Sequence, residues 1–223
     1  MLPGLIRRAV DNVNLTVLVD SVNQGLRYDD AMAASTRDAL VDAAAQLLDE
    51  GGLDAVTLRE VGHRAGVSHN APYKHFTDKE ALLAAVAARE LTRQGAAMAT
   101  AATLHSVLHG YIAWALAHPA RFRLVFGAWT TGSPELAAAA QTARDTLIAL
   151  VVTQQRAGRL PGVEPERVAA LLQALAHGAV ALALTGHLSP GGKGNAAPGD
   201  LIDDLLAHLA AATQPRAAQG EMT

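Results

Sequence analysis

Residues 57–83 read TLREVGHRAGVSHNAPYKHFTDKEALL. The pattern is that of two short helices joined by a glycine turn, with a further helix following at once. Thr57 stands three residues ahead of Glu60. At that spacing the hydroxyl can accept from the Glu60 amide while the Glu60 carboxylate reaches back, so a helix is expected to open at Thr57. Gly66 supplies a left-handed residue to end it, and Val67 is apolar enough to pin the turn to a core. Ser68 is expected to cap the next helix. Thr77 and Glu80 repeat the capping spacing, which closes that helix at Phe76 and opens another through Leu82, Leu83 and Val86. Val61, Ala65, Val67, Pro72 and Phe76 fall at inward-facing spacings. The outward set on the middle helix is His69, Asn70, Tyr73 and Lys74, with Ala71 and His75 at its edges. From Gly62 to Thr77 there are two cations, three histidines and no carboxylate, although the surrounding helices are acidic. Acid is kept off one surface of what reads as a helix-turn-helix, the surface such a motif turns toward DNA.

The rest of the chain sets bounds on that reading. At 223 residues, half of them apolar, it is long enough for a sizeable core. Alanine is abundant and aromatics are scarce, a composition that favours helix and leaves few strand-like runs. The expected fold is all-α: an N-terminal three-helix helix-turn-helix head plus a C-terminal helical body for ligand binding and dimerisation. A formal net charge of -3 gives no bulk attraction for nucleic acid, so DNA affinity has to come from local placement of cations and helix N-termini. The chain has no cysteine, which excludes disulfides and thiolate metal sites and is compatible with a reducing cytoplasm. Asp11, Asn12 and Asn14 interrupt what would be the apolar core of a secretion signal, and no stretch is expected to reach membrane-spanning length.

Four segments follow. Residues 1–34 are expected to be a poorly ordered extension or an upstream leader, or else an arm that enters the minor groove through Arg7, Arg8 and Arg27. Leu15 to Val19 reads equally as a short strand or a helical turn. The DNA-binding head occupies 35–83, its first helix starting at Ser35 or Thr36, burying Leu40, Ala43, Ala44, Leu47 and Leu48, and stopping at Gly51-Gly52. The body occupies 84–213, with helices at about Thr103–Ala117, Pro119–Gly127, Pro134–Ala157, Pro165–Leu188 and Pro198–Thr213. Four of these begin at proline, where a missing N–H costs nothing. Ser189 to Gly199, SPGGKGNAAPG, reads as a flexible loop. Residues 214–223 form a tail.

Gly66, Val67, Ser68, Tyr73, His75, Phe76, Lys79, Glu80 and Leu82 together match the recurrent pattern of the tetracycline-repressor (TetR) family of regulators, which this stretch resembles. The resemblance covers about Thr36 to Val86. It implies a DNA-binding head on a divergent ligand-binding body. Two residues depart from the pattern: Pro72 stands where a large aliphatic is usual, and Gly62 replaces the commoner alanine. Both are expected to tighten or bend the recognition helix. Further on, Ala117-His118-Pro119 with Phe122, Leu124 and Phe126, and later His177-Gly178, resembles a C-terminal domain of the Trp-His-Gly type, with Gln173 in the tryptophan position. In this family the last two long helices pair across a two-fold axis, and here those are Pro165–Leu188 and Pro198–Thr213. The nearly all-round apolar character of Val168 to Leu184 fits a helix covered by its own subunit and a partner.

Tyr111, Trp114, His118, Phe122, Phe126, Trp129, Gln173 and His177 are candidates to line an effector pocket; plain core is the competing reading for the aromatics. His105 and His109 sit one helical turn apart, a spacing that can hold a metal, but no carboxylate or cysteine lies nearby in sequence as a third ligand, so neither a metal site nor a cofactor is expected. No nucleophile with a base, paired carboxylates or phosphate-cradling loop occurs in a supporting context, and no enzyme activity is expected.

The combined expectation is a cytoplasmic homodimeric transcriptional regulator, in this family most often a repressor, released from double-stranded operator DNA by a small, largely apolar effector. Asn70 and His69 are assigned to base edges. Thr57, Tyr73, Lys74 and Lys79 are assigned to phosphates, and Ser68, Ala71 and His75 complete the contact surface. The alternative is a helical small-molecule-binding protein or enzyme that has lost DNA binding, which Pro72, Gly62 and the acidic balance favour.

Overall fold

The computed structural model describes the backbone of residues 15–130 and 132–213, with side chains from residue 35 onward within those ranges. Arg7 and Arg8 of the arm reading and the expected tail at 214–223 lie outside what is described, while the backbone of Arg27 belongs to α1. Among the described residues there are nine helices, α1 (Leu15–Ala55), α2 (Leu58–Arg64), α3 (Ala71–His75), α4 (Lys79–Thr100), α5 (Leu104–Ala117), α6 (Pro119–Val125), α7 (Pro134–Arg156), α8 (Pro165–Leu184) and α9 (Pro198–Ala211). The chain is all-α, as its composition predicts.

α1 begins at Leu15, well ahead of the expected Ser35 or Thr36. No proline interrupts residues 15–35 and Ala31-Met32-Ala33-Ala34 are strong helix formers, so nothing stops the helix before the Ser35 signal. The reading of Leu15 to Val19 as a strand is likewise replaced by helix. At the other end Gly52 breaks α1 with φ 68°, as the Gly51-Gly52 pair predicts. Leu40, Ala43, Ala44, Leu47 and Leu48 are all buried.

α2 opens at Thr57, whose Oγ1 accepts from the Glu60 amide at 3.1 Å. It closes at Gly66, φ 67°, where the Val67 amide donates to the Gly62 carbonyl and the Gly66 amide to that of His63. These two bonds are the Schellman closure, and they satisfy carbonyls the helix end leaves open. α3 departs from expectation: its N-cap is Asn70, and Ser68 contributes only its carbonyl, which accepts from the Ala71 amide at 2.9 Å. Starting late puts Pro72 in the first turn, where no intrahelical hydrogen bond is lost. α4 is capped by Asp78, whose carboxylate accepts from the Ala81 amide at 2.8 Å, one residue after the expected Thr77. Asp78 offers a charged acceptor at the positive end of the helix, stronger than a hydroxyl. Glu80 is thereby released for another partner described below.

Two cores result. One gathers α1, α2, α3 and α4 with Leu124, Val125, Leu136 and Ala143; the other gathers α5 to α9 around Leu108, Phe122, Val151, Leu172 and Ile202. α4 belongs to the first and packs along α7, where Gly95 faces Ala143 and a Cβ on it would stand 3.8 Å from the Ala143 Cα. Thr103 and Ser106 form a reciprocal capping box at the start of α5. α8 is long and apolar enough to cross a membrane, contrary to expectation. Only Val168, Ala169, Leu172, Ala176, Ala179 and Val180 of it are buried, while Leu171 and Leu182 are about half exposed. It is apolar enough because the exposed face carries leucine as well as the buried one. Of the expected loop from Ser189 to Gly199, the last two residues open α9 and the rest forms a defined turn, in which the Ser189 amide donates to the Lys193 carbonyl and the Gly191 amide to Asn195 Oδ1.

Candidate DNA interface and effector cavity

The stretch free of acid in sequence is not free of it in space, since Glu50 bonds Arg64 and the Glu60 carboxylate stands 3.9 Å from His63. His69, Asn70, Tyr73 and Lys74 are exposed, and Ala71 and His75 half-buried beside them; beneath, Val61, Pro72 and Phe76 are buried. His69 and Asn70 lie in the turn ahead of α3 rather than on it, and the His69 ring meets Tyr73 edge-on at 6.0 Å. Tyr73 is 53% exposed, so it is not consumed by packing against α1. Thr57 and Ser68 are exposed as well. Arg64 is held by Glu50 through two 2.8 Å bonds, and Lys79 donates to the Leu53 carbonyl, tying α4 to the end of α1. Lys74 makes no ion pair among the described residues, which leaves its charge available to a phosphate.

In the body two cavities share a wall. The first, about 460 Å³, is bounded by Leu91, Gln94 and Met98 of α4, Tyr111 of α5, Phe126, Leu147 of α7 and Gln173 of α8, with Arg144 and Glu166 also lining it. The second, about 510 Å³, lies between α4, α5 and α6 and includes Glu90, Trp114, His118 and Arg121. Gln94, Met98, Val107 and Tyr111 line both. Gln94 Nε2 is buried with no hydrogen-bond partner among the described residues, a donor facing a largely apolar space. Of the aromatic candidates, Tyr111, Trp114 and Phe126 reach a cavity; Phe122 is buried behind them, and Trp129 packs instead against the head-side core. His177 lies under the rings of Phe122 and Phe126 at 4.6 and 4.8 Å, its Nδ1 3.3 Å from the Tyr111 hydroxyl. Burial pushes the Tyr111 phenol up and holds the His177 imidazole below its ordinary value.

The unfolded chain therefore takes up the His177 proton before the folded one, and stability falls as pH drops through the ordinary histidine value toward the lowered one. His177→Asn is expected to lose less in thermal midpoint than the parent between about pH 7.5 and about pH 5.5. Equal losses would mean the proton is taken up elsewhere.

Both halves of the chain match families of known regulators. A family model described as "Bacterial regulatory proteins, tetR family" matches residues 40–86, and one described as "Tetracyclin repressor-like, C-terminal domain" matches residues 104–211. The chain belongs to the tetracycline-repressor family. Over 62 residues it is 39% identical to the class D tetracycline repressor of Escherichia coli, covering 28% of each chain. An HTH-type transcriptional repressor of Mycobacterium tuberculosis is 38% identical over 85 residues, 38% of this chain and 44% of that one. The matched segment thus spans less than half the length of these curated relatives. Over a longer stretch, a solved structure of a protein of unknown function from Rhodococcus sp. RHA1 superposes with a TM-score of 0.66 at 28% identity, covering 78% of this chain and 95% of that one.

In this TetR-family chain an ionic cluster connects cavity to head, and sequence reasoning missed it. Arg121 of α6 grips Asp49 of α1 through Nε at 3.0 Å and Nη2 at 2.6 Å, and its Nη1 donates to Glu90 of α4 at 3.2 Å. Glu90 is 2% exposed and also accepts from Trp114 Nε1 at 3.1 Å. His118 Nδ1 lies 3.1 Å from Asp49. The signal available in the sequence was slight, because Glu90 sits among Arg89, Thr92, Arg93 and Gln94 and reads as part of a solvated face of α4. Glu80 makes a second strap, accepting from the Thr130 amide and hydroxyl at 3.0 and 2.8 Å. The expectation of no third metal ligand also changes: Asp203 of α9 stands against both His105 and His109.

Proposed function

We propose that this TetR-family chain is a homodimeric, sequence-specific transcriptional regulator, acting as a repressor, with its DNA-binding head at 35–83 and its effector-binding and dimerisation body at 84–213. Asn70 and His69 read base edges, Tyr73, Lys74 and Thr57 hold phosphates, and Lys79 presents the start of α4 to the backbone. The observation that carries the reading is the pairing of the exposed His69, Asn70, Tyr73 and Lys74 at and just ahead of α3 with a cavity whose wall residue Arg121 is bonded to the head helix α1. The effector is a small, largely apolar molecule carrying an acceptor for Gln94 Nε2. A ligand that displaces α6 moves Asp49, and with it the head, so effector and DNA affinities are reciprocally coupled. Leu171 and Leu182 on α8 are the face covered by the second copy, together with α9. A two-fold pair of heads reads a pseudo-palindrome, which one small contact set could not select. The protein works in the cytoplasm and is not an enzyme.

Fluorescence anisotropy with the DNA upstream of its own gene and a shuffled control, at two salt concentrations, tests this. Lys74→Ala is expected to weaken binding and to reduce the salt slope by about one per head, and Tyr73→Ala to weaken binding as well. Native and shuffled DNA binding alike, followed by failure to select sites from a random pool, would sink the sequence-specific regulator. Support for the loss of DNA binding came from Gly62 and Pro72, and these form one matched contact: a Cβ on Gly62 would stand 2.8 Å from Pro72 Cγ.

A further inference from the structure

Away from both cavities, α5 and α9 bring three ligand-type side chains to one point. His105 and His109 stack with ring centroids 4.1 Å apart and 22° between their planes. Asp203, 94 residues beyond His109, places Oδ1 3.1 Å from His105 Nε2 and 2.8 Å from His109 Nε2. All three donor atoms lie within 4.8 Å of one another. We propose that His105, His109 and Asp203 bind a divalent first-row transition ion of the zinc class, with water completing its coordination.

The geometry is close to that of a bound site. With metal–ligand bonds of about 2.0–2.2 Å, tetrahedral donor atoms sit roughly 3.3 Å apart, so the two histidine–carboxylate distances, 3.1 and 2.8 Å, have to open by only a few tenths of an ångström, while the two Nε2 atoms lie within 4.8 Å of each other. Both histidines turn Nε2 inward from positions i and i+4, the spacing by which one helix face offers two imidazoles to a single ion. An unmetallated trio needs two imidazole N–H groups to share one carboxylate oxygen, whereas an ion accepts all three lone pairs at once. The second helix is cut to fit: a Cβ on Gly199, in the first turn of α9, would stand 2.8 Å from His109 Cε1, so the absent side chain leaves room for the ring. His105 and Asp203 are exposed, giving the ion a path in and water access to the open positions. Two imidazoles and one carboxylate suit zinc, nickel or copper, and not magnesium or calcium, which prefer oxygen alone. The ion would clip α9 to α5, the helix whose Val107 and Tyr111 line both cavities. This assignment does not depend on the DNA-binding reading.

The test uses the full chain without a histidine tag, stripped with chelator, dialysed and titrated with zinc chloride by calorimetry, beside His109→Ala, Asp203→Asn, Gly199→Ala and His187→Ala. One zinc per chain is expected. Loss of a ligand in His109→Ala or Asp203→Asn should weaken binding by more than about tenfold, since even outer-shell partners cost roughly 10- to 100-fold. Gly199→Ala, which removes no ligand, should weaken it as well, and His187→Ala should not. Zinc should raise the thermal midpoint of the parent and of His187→Ala but not of the ligand variants, with circular dichroism confirming that each is folded. Absence of binding by the parent, or undiminished binding by His109→Ala and Asp203→Asn, would overturn the assignment.

Discussion

Arg121→Met is expected to destabilise the protein by about 3–5 kcal/mol, measured as a shift in the urea midpoint. Arg121 is the shared cation of two carboxylates, Glu90 at 3.2 Å and Asp49 at 2.6 Å, and Glu90 is 2% exposed. Removing the guanidinium leaves the Glu90 charge with Arg93 at 3.3 Å and the Trp114 indole N–H, and leaves Asp49 with His118. A buried charge that loses its main partner costs far more than the intact pair contributes, because the desolvation is no longer compensated. The reciprocal expectation sharpens the test: Glu90→Leu combined with Arg121→Met should recover most of the loss, since an apolar pair of similar volume substitutes well for a buried ion pair. A double variant as unstable as Arg121→Met alone would show that Arg121 acts through Asp49 instead. If the coupling proposed here is right, the double variant should also bind DNA while responding less to effector.

Gly62→Ala carries the second large effect, and its sign is opposite to what helix propensity predicts. Alanine inside α2 would gain about 1 kcal/mol over glycine. The new methyl, however, would stand 2.8 Å from Pro72 Cγ and 3.4 Å from Cδ, and Gly62 and Pro72 are both buried. A proline ring cannot rotate away, so α3 has to move, and overpacking of this kind costs about 1–3 kcal/mol. The variant should be less stable than the parent and bind DNA more weakly, because α3 carries Tyr73 and Lys74. In a Pro72→Ala background the same change should become stabilising, and the cycle should return a coupling of about 1–3 kcal/mol. Additive effects would dissolve the matched pair and return weight to a head that has lost DNA binding.

The head was legible because its signals are local. Thr57 with Glu60 and Gly66 with Val67 each decide a helix end within a few residues, and the structure forms the Thr57 bond and the Gly66 turn. Where two adjacent residues competed, as Thr77 and Asp78 did for the α4 cap, spacing alone chose the weaker acceptor. Ser68 lost its role because Pro72 fixes where α3 can begin, a constraint stronger than a hydroxyl cap. The body helices were placed within a few residues by their prolines and apolar periods, but side-chain partners across them were not. Asp49 with Arg121 and His109 with Asp203 are separated by 72 and 94 residues, and no periodicity within one helix announces a partner on another. Of the residues picked for the pocket, Tyr111 and Phe126 were found through aromaticity, whereas Gln94 and Met98 of α4 carry no such mark and emerge only when α4 is seen to form the cavity wall.

The meeting of Gly95 with Ala143 bears on how the head travels. Long side chains interlock two helices like gear teeth, and axial movement then means unseating each one. At Gly95 α4 carries no side chain to unseat from Ala143, so that point of the α4–α7 seam offers no tooth against an axial shift. Sliding of packed helices at such points carries a shift along the helix axis, where a hinge would turn it into rotation.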